Sequence, residues 1–460
     1  MTAALCFLAM FAASLAGVLA GDRPWVLVPI STMLLIGSVL IARSAAFKTL
    51  GTKRTLCVLF FLLATAHALL GYFFAGLSAE TIWIGSRANV YYAQAMLING
   101  IGLLAGAVGY SWKLKGKPSS VISTFLDAAN DESVLRLCRL LLICGAVLML
   151  ATYWRLGFAD FLSDPTKWPA MRYVTSDLFG GSSRDEWIIS RAMDLITFSL
   201  PFVLFRVVKR PRALDILLAA AGSLALLMPL RRANPLSVVL VLLILIGIDK
   251  QNVYRIVLKA VFSVAVVYSL TQCLFLLVAP DGYVSAREVL AISSTGLPEV
   301  RDLGWILSLL GNERLNGATF VQAALPIPSI ATDWSQRNGL RAVTTKLIGL
   351  DREGQTGGLR LTLTGEGYIN FGYCGAIVVG FLWGMAVGWS DRLFRATGKN
   401  APGFVNYAAS LFFIWVCFWL YLAGSQAAAS IKGGAILLIA VGLVGKVFQP
   451  TLRKQAEIAC

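Results

Sequence analysis

The feature that most constrains this chain is the recurrence of long apolar runs with little charge inside them, joined by connections that are often basic. A helix needs about 20 apolar residues to cross the roughly 30 Å hydrocarbon layer, and only helices or closed barrels satisfy their backbone there. Twelve runs can be marked, at residues 3–20, 25–42, 55–77, 89–110, 134–153, 188–208, 213–230, 236–248, 253–279, 368–390, 404–424 and 431–448. The pattern predicts an all-α polytopic membrane protein with about 12 transmembrane helices, a single integral membrane domain over residues 1–460. Composition agrees. Charged residues make up 14% of the 460 and hydrophobic ones 57%, whereas a soluble domain carries about 25% charged residues. A disordered chain and a soluble nucleic-acid binder are thereby excluded, and the net charge of +16 is assigned to membrane-flanking connections. The eight cysteines include no C-x-x-C pair, so neither a disulfide framework nor a zinc site is signalled. The first run has no Lys or Arg before it, which favours a retained helix over a signal peptide.

Charge sets the expected orientation. The connections after even-numbered runs carry Arg43, Lys48, Lys53 and Arg54, then Lys113, Lys115 and Lys117, then Arg206, Lys209, Arg210 and Arg212, then Lys250 and Arg255, then Arg392, Arg395 and Lys399. The positive-inside rule makes that side cytoplasmic and puts both termini there. Two outer connections are long, residues 154–187 and 280–366. Loops of this size usually fold, and the second contains apolar stretches, Leu303 to Leu310 and Thr319 to Leu325, ended by Pro326 and Pro328. They predict helical pieces of a lid at the membrane surface. Gly102 and Gly106, and Gly380, Gly384 and Gly388, have the four-residue spacing of closely packed helices.

The outer side of this topology holds fourteen arginines, Arg314 among them, against three lysines, while the cytoplasmic side has eleven of each. Arginine grips phosphate or carboxylate oxygens through two parallel hydrogen bonds and keeps its charge when partly desolvated. The outer face therefore suits an anion, although any single arginine there can instead pair with a loop acid. Arg231 and Arg232 stand out. They occupy a five-residue turn with Ala233, Asn234 and Pro235, before a run of about 13 apolar residues that spans only about 20 Å as a helix. A turn drawn below the surface must face a cavity or a counter-ion. With Asn234 as donor and a helix N-terminus beside it, it suits a lipid-linked phosphate or pyrophosphate, and headgroup snorkelling is the competing reading.

Other polar groups lie at depth. Arg191 and Asp194 are three residues apart and can pair on one helix face. His67 is the only histidine, which leaves no His-rich metal site, and it reads as a satisfied buried hydrogen-bonding group. At the end of the large outer loop the chain runs Thr364, Gly365, Glu366, Gly367, Tyr368, Ile369, Asn370, Phe371, Gly372, Tyr373, Cys374, Gly375 and on into the tenth apolar run. A carboxylate entering the membrane beside Tyr368 and Asn370, with glycines allowing close backbone approach, can hold a sugar hydroxyl, serve as a base, or simply pair with an arginine.

This stretch, Gly-Glu-x-Tyr-x-Asn-Phe-Gly-x-x-Gly, resembles the motif of the bacterial Wzy-type polymerases, which join oligosaccharide repeat units of O-antigen and related polysaccharides. The likeness is detailed over Glu366 to Gly375 and extends, less specifically, to the twelve runs, the two long loops and the Arg231-Arg232 turn. It implies a GT-C-like membrane glycosyltransferase in the bacterial inner membrane, acting at the periplasmic face without metal or other cofactor on undecaprenyl-pyrophosphate-linked oligosaccharides. It also implies a chain-length regulator as a candidate partner, and no nucleic acid. Family members place functional arginines in both long loops, which Arg172, Arg184, Arg337, Arg341, Arg352 and Arg360 can match. Glu366, Arg231 and Arg232 are the catalytic candidates. Asn234, Tyr368, Asn370 and Arg191 join the loop arginines as substrate-binding candidates. The related O-antigen ligases tend to carry a histidine in the large loop, and residues 280–366 contain none. Ligase and polysaccharide flippase or transporter remain the alternatives.

Overall fold

A computed structural model describes residues 2–19, 23–50, 56–75, 85–113, 131–157, 183–229, 233–249, 298–311, 313–324 and 361–397, with scattered positions 255, 339, 342–343, 346, 407, 410–413, 416–417, 420–421 and 424. The elements are helices: α1 Thr2–Leu19, α2 Pro24–Leu50, α3 Leu56–Ala75, α4 Ala88–Lys113, α5 Glu132–Arg155, α6 Ser183–Lys209, α7 Ala213–Leu227, α8 Ala233–Asp249, α9 Pro298–Leu310, α10 Ala318–Ala324 and α11 Leu363–Thr397. Among the described residues, six helices are long and apolar enough to cross a membrane: Pro24–Thr49, Leu56–Ala75, Gly85–Lys113, Glu132–Arg155, Ile188–Lys209 and Leu363–Arg392. Ala4–Leu19 and Ala213–Leu227 are shorter apolar helices. Among the described residues the chain is all-helical, and its apolar helices are those of a membrane protein. The first eight apolar runs correspond to α1 to α8 and the tenth to α11. The ninth run, apart from Arg255, and the twelfth lie outside the described residues, and the eleventh is described only at scattered positions.

The helices form two compact units. The first comprises Met1–Val121, Tyr254–Ala396 and Phe412–Ala427, and the second Ile122–Val253, Thr397–Leu411 and Ala428–Cys460. In the first unit α4 is the central element, 94% of its apolar window being buried. Glycine explains how a neighbour comes so close. A Cβ built on Gly384 would overlap the Gly106 carbonyl, and one on Gly380 would overlap the Gly102 carbonyl. The two glycine series seen in the sequence are therefore each other's partners, and α4 meets α11 backbone to backbone. Without a hydrophobic driving force between helices in lipid, such close van der Waals contact is what holds them. Beside this seam Trp383 packs 4.9 Å from Tyr421 and 5.3 Å from Phe60, ring centre to ring centre. Its indole N–H donates to the Val416 carbonyl at 3.0 Å.

The large loop contributes α9 and α10 to this unit, and both apolar stretches are helical as expected. Val300, Leu303, Ile306, Leu307 and Leu310 all point into one core with Ala75 of α3 and with Ala88, Tyr92, Ala95 and Ile98 of α4. Five apolar side chains on one face of this 13-residue helix form the stripe that packs against α3 and α4.

In the second unit α5 and α6 lie antiparallel, with Gly145 leaving room for the Ala192 carbonyl. Asp131 caps α5 by accepting the N–H groups of Ser133 at 2.8 Å and Val134 at 3.4 Å. At the opposite end Arg155 pairs with the buried Asp185 of α6.

Candidate functional site

The motif that closes the large loop does not enter the membrane as one continuous helix. Its first arm covers residues 363–370 and its second 373–397. Between them Phe371 (φ −136°, ψ 16°) and Gly372 (φ 65°, ψ −155°) leave helical geometry. The positive φ at position 372 is one that L side chains seldom adopt, so glycine permits the break. The arms fold against each other. Gly367 and Gly375 would stand about 12 Å apart in a straight helix, yet a Cβ on Gly367 would lie 2.7 Å from the Gly375 carbonyl and 3.2 Å from Val379. The glycines read from sequence as allowing close approach do so by closing this hairpin on itself.

Neutral hydrogen bonds hold the first arm. Thr362 precedes its first residue and caps it, its hydroxyl accepting the Gly365 N–H at 3.1 Å. The same hydroxyl donates to Asn99 Oδ1 at 2.7 Å, and the Thr364 hydroxyl donates to that oxygen at 3.2 Å. Asn99 is fixed in turn by donating to the Ala95 carbonyl at 3.1 Å. At the other end of the arm, Asn370 donates to Thr319 Oγ1 and to the Glu366 carbonyl, both at 2.8 Å, and accepts the Gly317 N–H at 2.8 Å. The Ile369 carbonyl is taken by the Leu315 N–H at 3.0 Å. Asn370 therefore ties the arm to α10 and the segment before it, with both ends of its amide in use.

Glu366 sits in the first turn of this arm and is fully buried. Its carboxylate lies against Gly424, whose φ is 53° and where a Cβ would overlap Oε2. Two residues on, Tyr368 is 4% exposed, and its hydroxyl accepts from Gln94 Nε2 at 3.2 Å. Arg314 crosses above it with the guanidinium carbon 5.0 Å from the ring centre. The Arg314 Nη1 donates to the Glu313 carbonyl at 2.7 Å, and its Nε lies 3.6 Å from where a Cβ on Gly372 would be. A cation is thus placed over the break, at the start of the second arm. A helix that begins afresh has first-turn N–H groups and a positive dipole end facing outward, and both favour an anion. Phe371, at the break, is 51% exposed and is stacked with Phe320, their planes 3° apart.

Of the residues singled out by sequence, Glu366, Tyr368 and Asn370 come together here. Arg191 is placed in α6 and pairs with Asp194 at 2.9 Å, the i,i+3 contact its spacing predicts. Arg184 and Asn234 are described as helical backbone only. Arg172, Arg231, Arg232, Arg337, Arg341, Arg352 and Arg360 lie outside the described residues. Sequence reasoning passed over Asn99, Thr362, Gln94 and Gly424 and did not single out Arg314. A lone asparagine inside the apolar run 89–110 was the available signal for Asn99. Nothing in local spacing marks Arg314. No family model, curated protein or solved structure matches the chain.

Proposed function

We propose that this protein is a GT-C-like membrane glycosyltransferase with about twelve spans, joining undecaprenyl-pyrophosphate-linked repeat units into O-antigen or a related surface polysaccharide at the periplasmic face of the inner membrane. One observation carries the reading: a fully buried carboxylate, Glu366, one turn from a helix break over which Arg314 holds a cation. Ionisable groups inside an apolar protein are costly and mark sites of function by default. The motif that resembles the polymerases is the segment that builds this break.

The proposed reaction uses both charges. A hydroxyl of the incoming unit attacks the anomeric carbon of the growing chain, forming the new glycosidic bond. The bond from that carbon to the lipid pyrophosphate breaks, and its electron pair leaves with the pyrophosphate oxygen. Glu366 takes the hydroxyl proton, a role worth about 10²- to 10⁴-fold in rate. Arg314 and the first turn of the second arm stabilise the departing diphosphate, about 10²- to 10³-fold for one such donor. Arg231 and Arg232 are the further anion-binding candidates, and Tyr368 positions Arg314 through its ring.

The decisive experiment is extension of defined lipid-linked units by purified protein, read as a ladder of products. Wild type is expected to elongate, Glu366→Gln to fall at least about 100-fold, and the Arg231→Lys, Arg232→Lys double variant to lose polymer while inserting normally. Full-length ladders from Glu366→Gln would remove the carboxylate from the mechanism. A second reading is favoured by the break itself, because discontinuous helices line the substrate sites of many transporters. Movement of a fluorescent lipid-linked unit across proteoliposomes, with no extension, would select the flippase.

A further inference from the structure

The second unit carries a separate charged cluster where the N-terminus of α5, the C-terminus of α6 and the N-terminus of α7 meet. Asp215 of α7 is fully buried and accepts from Arg139 of α5 twice, Nε at 2.7 Å and Nη2 at 3.1 Å. That bidentate pair is internally satisfied. Glu132 is shared: Arg139 Nη1 donates to it at 3.2 Å, while Arg212 Nη1 and Arg206 Nη2 stand off at 3.7 and 3.8 Å. The last two distances exceed a hydrogen bond, so Arg206 and Arg212 orient toward Glu132 without being used up by it. Arg206 Nε is buried with no hydrogen-bond partner among the described residues. With Lys209 and Arg210 in the adjoining connection, and Asp131 and Arg136 beside Glu132, six bases stand against three acids among the described residues.

What flanks the cluster is apolar and uncovered. Val208 is 62% exposed, Leu214 56% and Leu217 67%, on the last turn of α6 and the first turns of α7. A surplus of three positive charges at the edge of such a face matches a molecule with an anionic head and hydrocarbon tails. We infer that Arg206, Arg212 and their neighbours bind the phosphate headgroup of an anionic phospholipid, its acyl chains lying along the exposed leucine and valine face of α6 and α7. Arginine is the residue for this task, since its fork takes two phosphate oxygens at once. The site is independent of the glycosyltransferase reading.

The test uses the full purified chain in detergent, titrated with phosphatidylglycerol, phosphatidylcholine or inorganic pyrophosphate, and read by thermal unfolding and by lipid retained in native mass spectrometry. Phosphatidylglycerol is expected to raise the unfolding midpoint and to remain bound, with phosphatidylcholine and pyrophosphate much weaker. Arg206→Gln and Arg212→Gln are each expected to weaken retention on the order of tenfold. Arg212 is exposed, so its variant should fold even if the Arg206 one does not. Lys48→Gln, at the end of α2, should change nothing. Equal binding of phosphatidylcholine would overturn the proposal by removing the phosphate charge from it. Equal binding of pyrophosphate would replace the lipid by a soluble anion. Equal loss in the Lys48 variant would reduce the effect to overall charge.

Discussion

Two polar networks, one in each unit, are held by opposite means. In the first, Asn99, Thr362, Thr364, Thr319 and Asn370 are each at most 3% exposed and are joined by uncharged hydrogen bonds that pin a broken helix. In the second, Arg139, Asp215, Glu132, Arg206 and Arg212 form an ionic network among three helix ends. The placement explains the choice. Acids at the N-termini of α5 and α7 and bases at the C-terminus of α6 complement the helix dipoles. A break between two arms, by contrast, leaves backbone and short side chains to be satisfied one by one. Hydroxyls and amides do that without the desolvation cost of a full charge.

The strongest way to break this contrast is to unpair the buried charge. Asp215→Ala leaves Arg139 partly buried without its bidentate acceptor, and a loss of about 3–5 kcal/mol is expected in the unfolding free energy. Arg139→Met with Asp215→Leu should recover most of it, because an apolar pair of similar volume removes the stranded charge. A loss below about 1 kcal/mol for Asp215→Ala would mean that the pair behaves like an exposed ion pair, and the distinction between the units would fail.

Asn99→Leu addresses the neutral network and is expected to cost less, about 1–3 kcal/mol, since it removes the shared acceptor of two buried hydroxyls that still bond each other at 3.1 Å, rather than stranding a charge. If the break depends on Asn99, the proposed elongation activity should fall together with stability. A variant that loses stability but keeps full activity would separate the network from the site. That outcome would place Asn99 in packing alone.

The ionic and neutral networks also differ in how legible they were. Helix positions followed from apolar runs, and the glycine spacings at 102 and 106 and at 380 and 384 announced a close seam that α4 and α11 make with each other. The bases of the second unit were visible as one basic connection, but their acids were not, because Glu132 and Asp215 lie at ordinary helix starts. The Asn99 to Thr362 contact joins residues 263 positions apart, and no periodic pattern encodes such a pairing. The break was half visible. Glycines around Glu366 signalled close approach, but the positive φ at Gly372 is a tertiary outcome, set by Arg314, Leu315 and Asn370 closing on the end of the first arm.

The finest comparison is between the two caps. Thr362 and Asp131 both accept N–H groups at a helix start, and replacing such a cap by Ala costs about 0.5–2 kcal/mol. Thr362 is buried and also donates to Asn99, whereas the bonds that Asp131 makes lie toward solvent. Thr362→Ala is therefore expected near the upper end of that range and Asp131→Ala near the lower, with Thr362→Ser close to wild type. Salt sharpens the difference. Moderate ionic strength screens an exposed carboxylate at a helix dipole, so the Asp131→Ala penalty should shrink in about 0.5 M salt, while the Thr362→Ala penalty, carried by a neutral hydroxyl, should not. Equal shrinkage of both would show that the Thr362 cap draws on charge as well, and Glu366 in the same first turn would be the group to suspect.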